Sequence, residues 1–455
     1  SYFNAGFAHY EAKRYAQAAA DFTRALEVQA DDEASLRYRA WSYYELKDYD
    51  GAIADASRLI RMWPDNALYY LIRSAAYVDK GEYDKTIADC NQALRLNPNY
   101  ADAYNNRGLA YSNKGEHDKA IADLNQAIRL NPNYAAAYLN RGNAYNGKGE
   151  HDKAIEDYTQ AIRLNPNYAY AYNNRGAAYN RKGEYDKAIA DLNQALRLNP
   201  NFVEAYLGRG NAYNNKGEHD RAIADYTQAL RLNPNYAAAY SNRGVAYDDK
   251  GEPDRAIADY NQALRLNPNL TKAYNNRGSA YNGKGEHDKA IADLNQALRL
   301  NPNYAEAYNN RGFTYNNKGE YDKAIADLNQ ALRLDPNYAY AYNNRGIAYA
   351  DKGDLDKAIA DYTQALRLNP NYANAYYDRG NAYKDKGEQD KAIADYTQAL
   401  RLNPNYALAY HGRGNAYYYK KDYARARADW EKALQLNPNN AGARNNLEVL
   451  RGMGY

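Results

Sequence analysis

The chain has 455 residues, with 59 basic and 56 acidic side chains, a net charge of +3, one cysteine and 53 tyrosines. The even charge balance offers no basic face to a polyanion, and a single cysteine, Cys90, excludes an intrachain disulfide or a multi-cysteine metal site. No apolar run approaches the roughly 18 residues that span a bilayer, and no secretory leader is visible.

From the first residues onward the chain is periodic. Of its 13 prolines, all but Pro253 lie on one grid from Pro64 to Pro438, each 34 residues after the last. A fixed period of this size is the signature of a repeat architecture. Counting each unit from the third residue after its proline gives thirteen repeats. The first, 1–32, lacks two positions. Full units run from 33–66 to 407–440, and a remnant, 441–455, follows. The chain opens at Ser1, inside a repeat, as expected of a processed or trimmed product, soluble in the cytoplasm or exported after loss of a leader.

In residues 101–134 (ADAYNNRGLAYSNKGEHDKAIADLNQAIRLNPNY), small or aromatic side chains fall at positions 4, 8 and 11, then at 20, 24 and 27. That spacing predicts two amphipathic helices, over positions 1–14 and 18–31. Lys-Gly-Glu at positions 14–16 separates them, with the glycine able to end the first helix. Asn-Pro at 31–32 ends the second, because proline drives its predecessor out of the helical region. Residues 441–451 predict one last helix that covers the final repeat. The fold class expected is all-α.

Tyr104, Gly108, Tyr111, Ala120, Leu124, Ala127 and Pro132 follow the pattern of the tetratricopeptide repeat, which the chain resembles over nearly its whole length. The resemblance implies a right-handed superhelical α-solenoid. Residues 1–440 would form one continuous array of thirteen units, and 441–455 a solvating helix and tail. It also implies that the first helix of each pair lines a concave groove and the second forms the convex side.

Most tyrosines recur at positions 4, 11, 17, 24 and 34, where they read as packing or turn residues with a polar tip. Those expected on the groove gather near the ends: Phe3, Phe7, Tyr10, Tyr38, Trp41 and Tyr44 at one, Tyr377, Tyr418 and Tyr419 at the other. Exposed aromatic clusters mark contact sites. Between them the groove reads as asparagine at position 6, in Asn106, Asn140, Asn174, Asn242, Asn276, Asn310 and Asn344, with Asn4 in the first unit. An amide offers both donor and acceptor and can bond the backbone of an extended peptide. The column is similar to the asparagine ladder in the repeat arrays of O-linked N-acetylglucosamine transferases, without their catalytic domain. Arginine at position 7 in twelve units and aspartate at position 23 in all thirteen predict a structural ion pair across each helix pair. Arg209 is expected to reach Asp225.

No catalytic constellation, cofactor fingerprint or metal-ligand set is present in the sequence. The function expected is a non-catalytic scaffold that holds an extended peptide or protein partner in the groove, without cofactor, metal or nucleic acid. The alternative is a structural subunit that joins other copies of itself head to tail into filaments, through the aromatic ends.

Overall fold

The computed structural model describes residues 1–454. Among them there are 27 helices and no strand, and the helices follow one another as the predicted pairs. Residues 101–134 form Ala101–Asn113 and His117–Leu130. Each pair therefore turns one residue earlier than the periodicity alone implies. The cause is the turn itself. Gly115 takes φ +79°, the Gly115 amide donates to Ser112 O at 3.0 Å, and the Glu116 amide donates to Tyr111 O at 2.9 Å. This left-handed closure satisfies carbonyls that the helix end would otherwise strand. The second helix stops at Asn131, which is extended (φ −135°, ψ 92°) ahead of Pro132.

Three repeats close that turn without glycine. Lys13, Lys47 and Lys421 hold φ of 56°, 62° and 64°, a region that a Cβ atom disfavours.

The chain divides into two compact units, Ser1–Pro234 and Asn235–Tyr455. Each is an all-α superhelical stack of helix pairs. Within each unit, successive first helices pack on one another, as Ala101–Asn113 does on Ala135–Gly147 and Ala305–Asn317 does on Ala339–Asp351. Among the described residues no two second helices come into comparable contact. Each unit therefore curves with its first helices on the inner side. The last helix, Ala441–Gly452, buries Ala443, Leu447 and Leu450 against Trp430 of the preceding pair.

The core of a pair is small against large. A Cβ on Gly142 would lie 2.6 Å from Tyr158 Cε1, so glycine is what lets the ring in. The buried ring still needs a partner for its hydroxyl. Tyr158 donates to Asn143 Oδ1 at 2.9 Å and Tyr396 to Asn381 Oδ1 at 2.6 Å, and the Trp430 indole donates to Asn415 Oδ1 at 3.0 Å.

The arginine–aspartate pair is present as expected. Arg209 Nε donates to Asp225 Oδ2 at 2.8 Å and Nη2 to Oδ1 at 2.7 Å. The fork recurs in every repeat from 33–66 to 407–440. The third nitrogen reaches back one repeat, with Arg209 Nη1 donating to Asn193 Oδ1 at 2.6 Å. The first repeat has Ala5 at the arginine position, and there His9 Nδ1 lies 2.8 Å from Asp21 Oδ2 instead.

Arg209→Ala should lower the stability of its repeat by about 3 kcal/mol, because Asp225 is left buried and unpaired. The double change Arg209→Leu with Asp225→Leu should cost clearly less, since no charge is stranded. Denaturant unfolding of the two variants checks this, and equal losses would refute it. Lys47→Gly should stabilise by about 0.5–1 kcal/mol, the left-handed penalty less the added backbone freedom. Slower amide exchange in Glu33–Glu45 is the readout.

Candidate functional site

First-helix positions 2, 5, 6, 9, 12 and 13 line the cleft between the helices Ala339–Asp351, Ala373–Asp385 and Ala407–Tyr419, and at several points along the chain the position-6 asparagines bond to the preceding repeat. Asn140 Nδ2 donates to Asn105 Oδ1 at 3.0 Å, Asn310 Nδ2 to Asn275 Oδ1 at 3.0 Å, and Asn344 Nδ2 to Asn309 Oδ1 at 2.9 Å. Asn106 reaches Ser74 Oγ at 3.4 Å, and Asn174 reaches Asn143 Oδ1 at 2.8 Å. Asn276 accepts from Asn275 Nδ2 at 3.3 Å. Asn242 lies half-buried at the same position.

The column is thus stapled to the fold. Position 5 supplies the buried oxygen, in Asn105, Asn275 and Asn309, and position 6 supplies the donor, buried in Asn140 and half-buried in Asn310 and Asn344. A primary amide has two N–H groups and an oxygen with two lone pairs. Asn310 spends one N–H on Asn275 and one lone pair on Asn309 Nδ2 at 3.2 Å. One donor and one lone pair of that amide are not used in these bonds, and alanine here would remove a link between repeats.

The aromatic sets resolve into smaller groups. Phe3, Phe7, Tyr10 and Tyr38 form one cluster, with Tyr38 5.2 Å from both Phe7 and Tyr10 and 6.3 Å from Phe3 between ring centroids. The buried Phe22 stacks on Tyr38 at 5.9 Å. Trp41 and Tyr44 form a separate edge-to-face pair at 5.6 Å. At the other end the three tyrosines do not share one cluster. Tyr377 packs on Tyr396 and Tyr406. Tyr418 and Tyr419 line a shallow cleft of about 200 Å³ with Trp430 and Val449. Tyr419 is 66% exposed.

Reading the repeats for what they share missed the place where they differ. In the repeat 373–406 the column is interrupted, with Tyr377 at position 5 and Asp378 at position 6. These two side chains line a cleft of about 470 Å³ between three successive first helices, Ala339–Asp351, Ala373–Asp385 and Ala407–Tyr419. Asp351, Asp385, Lys384 and His411 also face it. Burial holds the Asp378 carboxyl up at about 6, and the charge of Asp351 adds to the push. Burial also lowers the His411 imidazole from its ordinary value, with Lys384 contributing. The departure from asparagine at position 6 was the available sequence signal.

Elsewhere the titratable groups are occupied with structure. His151 and His287 each sit 2.9 Å from an asparagine of their own turn. Burial pushes the Cys90 thiol up to about 12. Among the described residues no cluster of three or more His, Cys, Asp or Glu is placed to hold a metal, and no helix is long and apolar enough to cross a membrane.

Models of the TPR repeat match residues 75–115, 142–183, 176–217, 210–251, 278–319, 314–353, 346–387 and 380–419. Models of the tetratricopeptide repeat match 3–67, 101–134, 124–156, 237–270 and 407–440. Comparison with curated proteins gives no match. Among solved structures, the APC/C hetero-tetramer Cut9–Hcn1 aligns over 93% of this chain and 98% of its own, at 17% identity and a TM-score of 0.54. Yeast Tom70 aligns over 92% and 96%, at 19% identity and a TM-score of 0.46. A tetratricopeptide repeat protein from Parabacteroides merdae aligns over 55% and 98%, at 24% identity and a TM-score of 0.46. The first of these is a likeness of fold.

Proposed function

Since the chain belongs to the tetratricopeptide repeat family, we propose that it is a protein-interaction scaffold whose inner face holds an extended segment of a partner along the asparagine column. The observation that carries this reading is the residual valence of Asn174, Asn310 and Asn344. Each has one N–H engaged by the preceding repeat, and the second is available. An extended backbone presents carbonyls and amides at regular intervals with no secondary structure of its own to satisfy them. A regular row of donors and acceptors matches that need and reads no side chain. The reading includes no catalysis, cofactor, metal or nucleic acid.

Asn174, Asn310 and Asn344 changed together to alanine should cut capture of a randomised extended-peptide library by the immobilised chain about tenfold. The same variant should lose stability, by about 1 kcal/mol at each site, because inter-repeat hydrogen bonds go with the amides. Capture is therefore compared at a temperature where circular dichroism shows both chains folded. Undiminished capture would reduce the column to a structural staple.

A second reading, self-association through the end surfaces, is supported by exposed apolar side chains: Tyr2 (51%) and Val28 (80%) at one end, Tyr419 and Val449 at the other. Sedimentation velocity over a concentration series tests it. Species that grow without limit support filaments, and a single boundary that stays unchanged with concentration removes the reading.

A further inference from the structure

We infer that the cleft around Asp378 is a binding site for a guanidinium group, presented by an arginine side chain of the bound segment. The inference rests on the groove reading for the source of that arginine, and on the cleft's own chemistry for the choice of group.

The column shows what Asp378 has replaced. In neighbouring repeats the position-6 amide donates to the position-5 oxygen of the preceding unit, as Asn344 does to Asn309. Asp378 carries no N–H, and the bond reverses: Asn343 Nδ2 donates to Asp378 Oδ2 at 3.0 Å. Asn343 Oδ1, the atom that would have received, is left without a partner although Asn343 is only 2% exposed. The same happens one register along. Asn316 Nδ2 donates to Asp351 Oδ2 at 2.8 Å, and Asn316 Oδ1 has no partner, with the residue 8% exposed. Buried amide oxygens are rarely stranded. Of the four stranded here, Asn180 and Gln389 donate to backbone carbonyls, while Asn343 and Asn316 have their nitrogen turned toward a carboxylate of the cleft.

Both carboxylates lack a counter-ion. No lysine or arginine pairs with Asp378 or Asp351 among the described residues. Lys384, which lines the cleft, is 3.2 Å from Asp385, and His411 is held toward its neutral form. An ionised carboxylate in a half-buried cleft is costly until a cation arrives. The surrounding surface is aromatic. Tyr362 and Tyr377 line the cleft, the Tyr377 and Tyr406 rings lie 5.1 Å apart, and the hydroxyls of Tyr372 and Tyr406 are raised by burial first and by the charge of Asp378 second, so these rings are near it as well. A planar, weakly hydrated cation with several donors fits this set: it can stack on a tyrosine face and donate to the Asp378 oxygen that Asn343 leaves open.

The full-length chain is titrated, followed by NMR, with N-acetyl-arginine N-methylamide and with its uncharged isostere N-acetyl-citrulline N-methylamide. Arginine should bind about tenfold or more tightly than citrulline at neutral pH. Asp378→Asn should abolish the preference. That variant is expected to fold, because asparagine is what Asn310 and Asn344 are at the same position, and its amide can donate to the stranded Asn343 Oδ1. The wild-type preference should fade as pH falls through about 6, where Asp378 takes up its proton. Protonation of His411 acts in the same direction, while Asp351 and Asp385 face the site as anions and Lys384 as a cation, so the pH series is repeated in Asp378→Asn to subtract them. Equal binding of the two probes by the wild type overturns the inference, as does an undiminished preference in a folded Asp378→Asn. Single capped residues offer no extended backbone to the asparagine column, so a negative result here leaves the groove reading standing, and loss of peptide capture with the arginine preference intact would do the reverse.

Discussion

One interaction sets the geometry on which the rest depends: the two-pronged bond between the arginine of the first helix and the aspartate of the second. A helix pair whose contacts are alanine, leucine and one large ring could slide or rotate with little penalty, because apolar packing is not directional. The fork removes that freedom. Arg107 meets both oxygens of Asp123, at 2.7 and 2.6 Å. A planar guanidinium satisfies a carboxylate in this way in only a narrow range of positions. Its third nitrogen then donates to Asn91 of the preceding repeat at 2.6 Å, so the same side chain fixes the relation between repeats as well as within one. Both charges are largely withdrawn from water and both are fully bonded, which suits a device for register better than one for net stability.

Once register is fixed, every inner-face position falls into a column, and the columns can diverge without disturbing the stack. Solenoid stability is a sum of local terms, each repeat answering only to its neighbours. A substitution at position 6 is therefore felt one repeat away and no further. Opposite the rings of Tyr158, Tyr396 and Trp430 at position 24, position 9 is Asn143, Asn381 and Asn415, each accepting the ring's hydrogen, whereas opposite Leu192 it is Ala177. Such pairs show local terms being balanced locally, leaving the groove side of each helix open to specialisation.

Much of this was legible in the sequence, because the interactions that build the fold are periodic and therefore visible. The prolines, the turn glycines and the pairing of Arg209 with Asp225 follow from spacing alone. Helix ends were off by one residue, since the left-handed glycine closes the turn sooner than hydrophobic periodicity reveals. The site was less legible for a physical reason. Sequence spacing placed the asparagines on one face, but hydrogen-bond direction depends on how far one repeat is rotated against the next, and no residue states that rotation. The amides of Asn105 and Asn140 are 35 residues apart yet bonded, which converts an apparently free surface into a partly committed one. The cleft at Asp378 was hidden for the opposite reason, being an exception in a sequence read for its rule.

On the proposed reading, the commitment of the column to the fold would favour binding. A side-chain amide that touches nothing turns about its last torsion, and ordering it on a ligand costs entropy. When Asn344 donates one hydrogen to Asn309, the plane of its amide is set, and the direction of the second hydrogen is set with it. In the proposed binding mode, the staple that joins two repeats would thereby orient a donor before any partner arrives. The same bond to the preceding repeat recurs at Asn140, Asn174 and Asn310. At Asp378 the same staple runs backwards, with Asn343 donating to the carboxylate, so on the reading proposed here a single change of residue would turn a backbone-reading position into one that selects for charge.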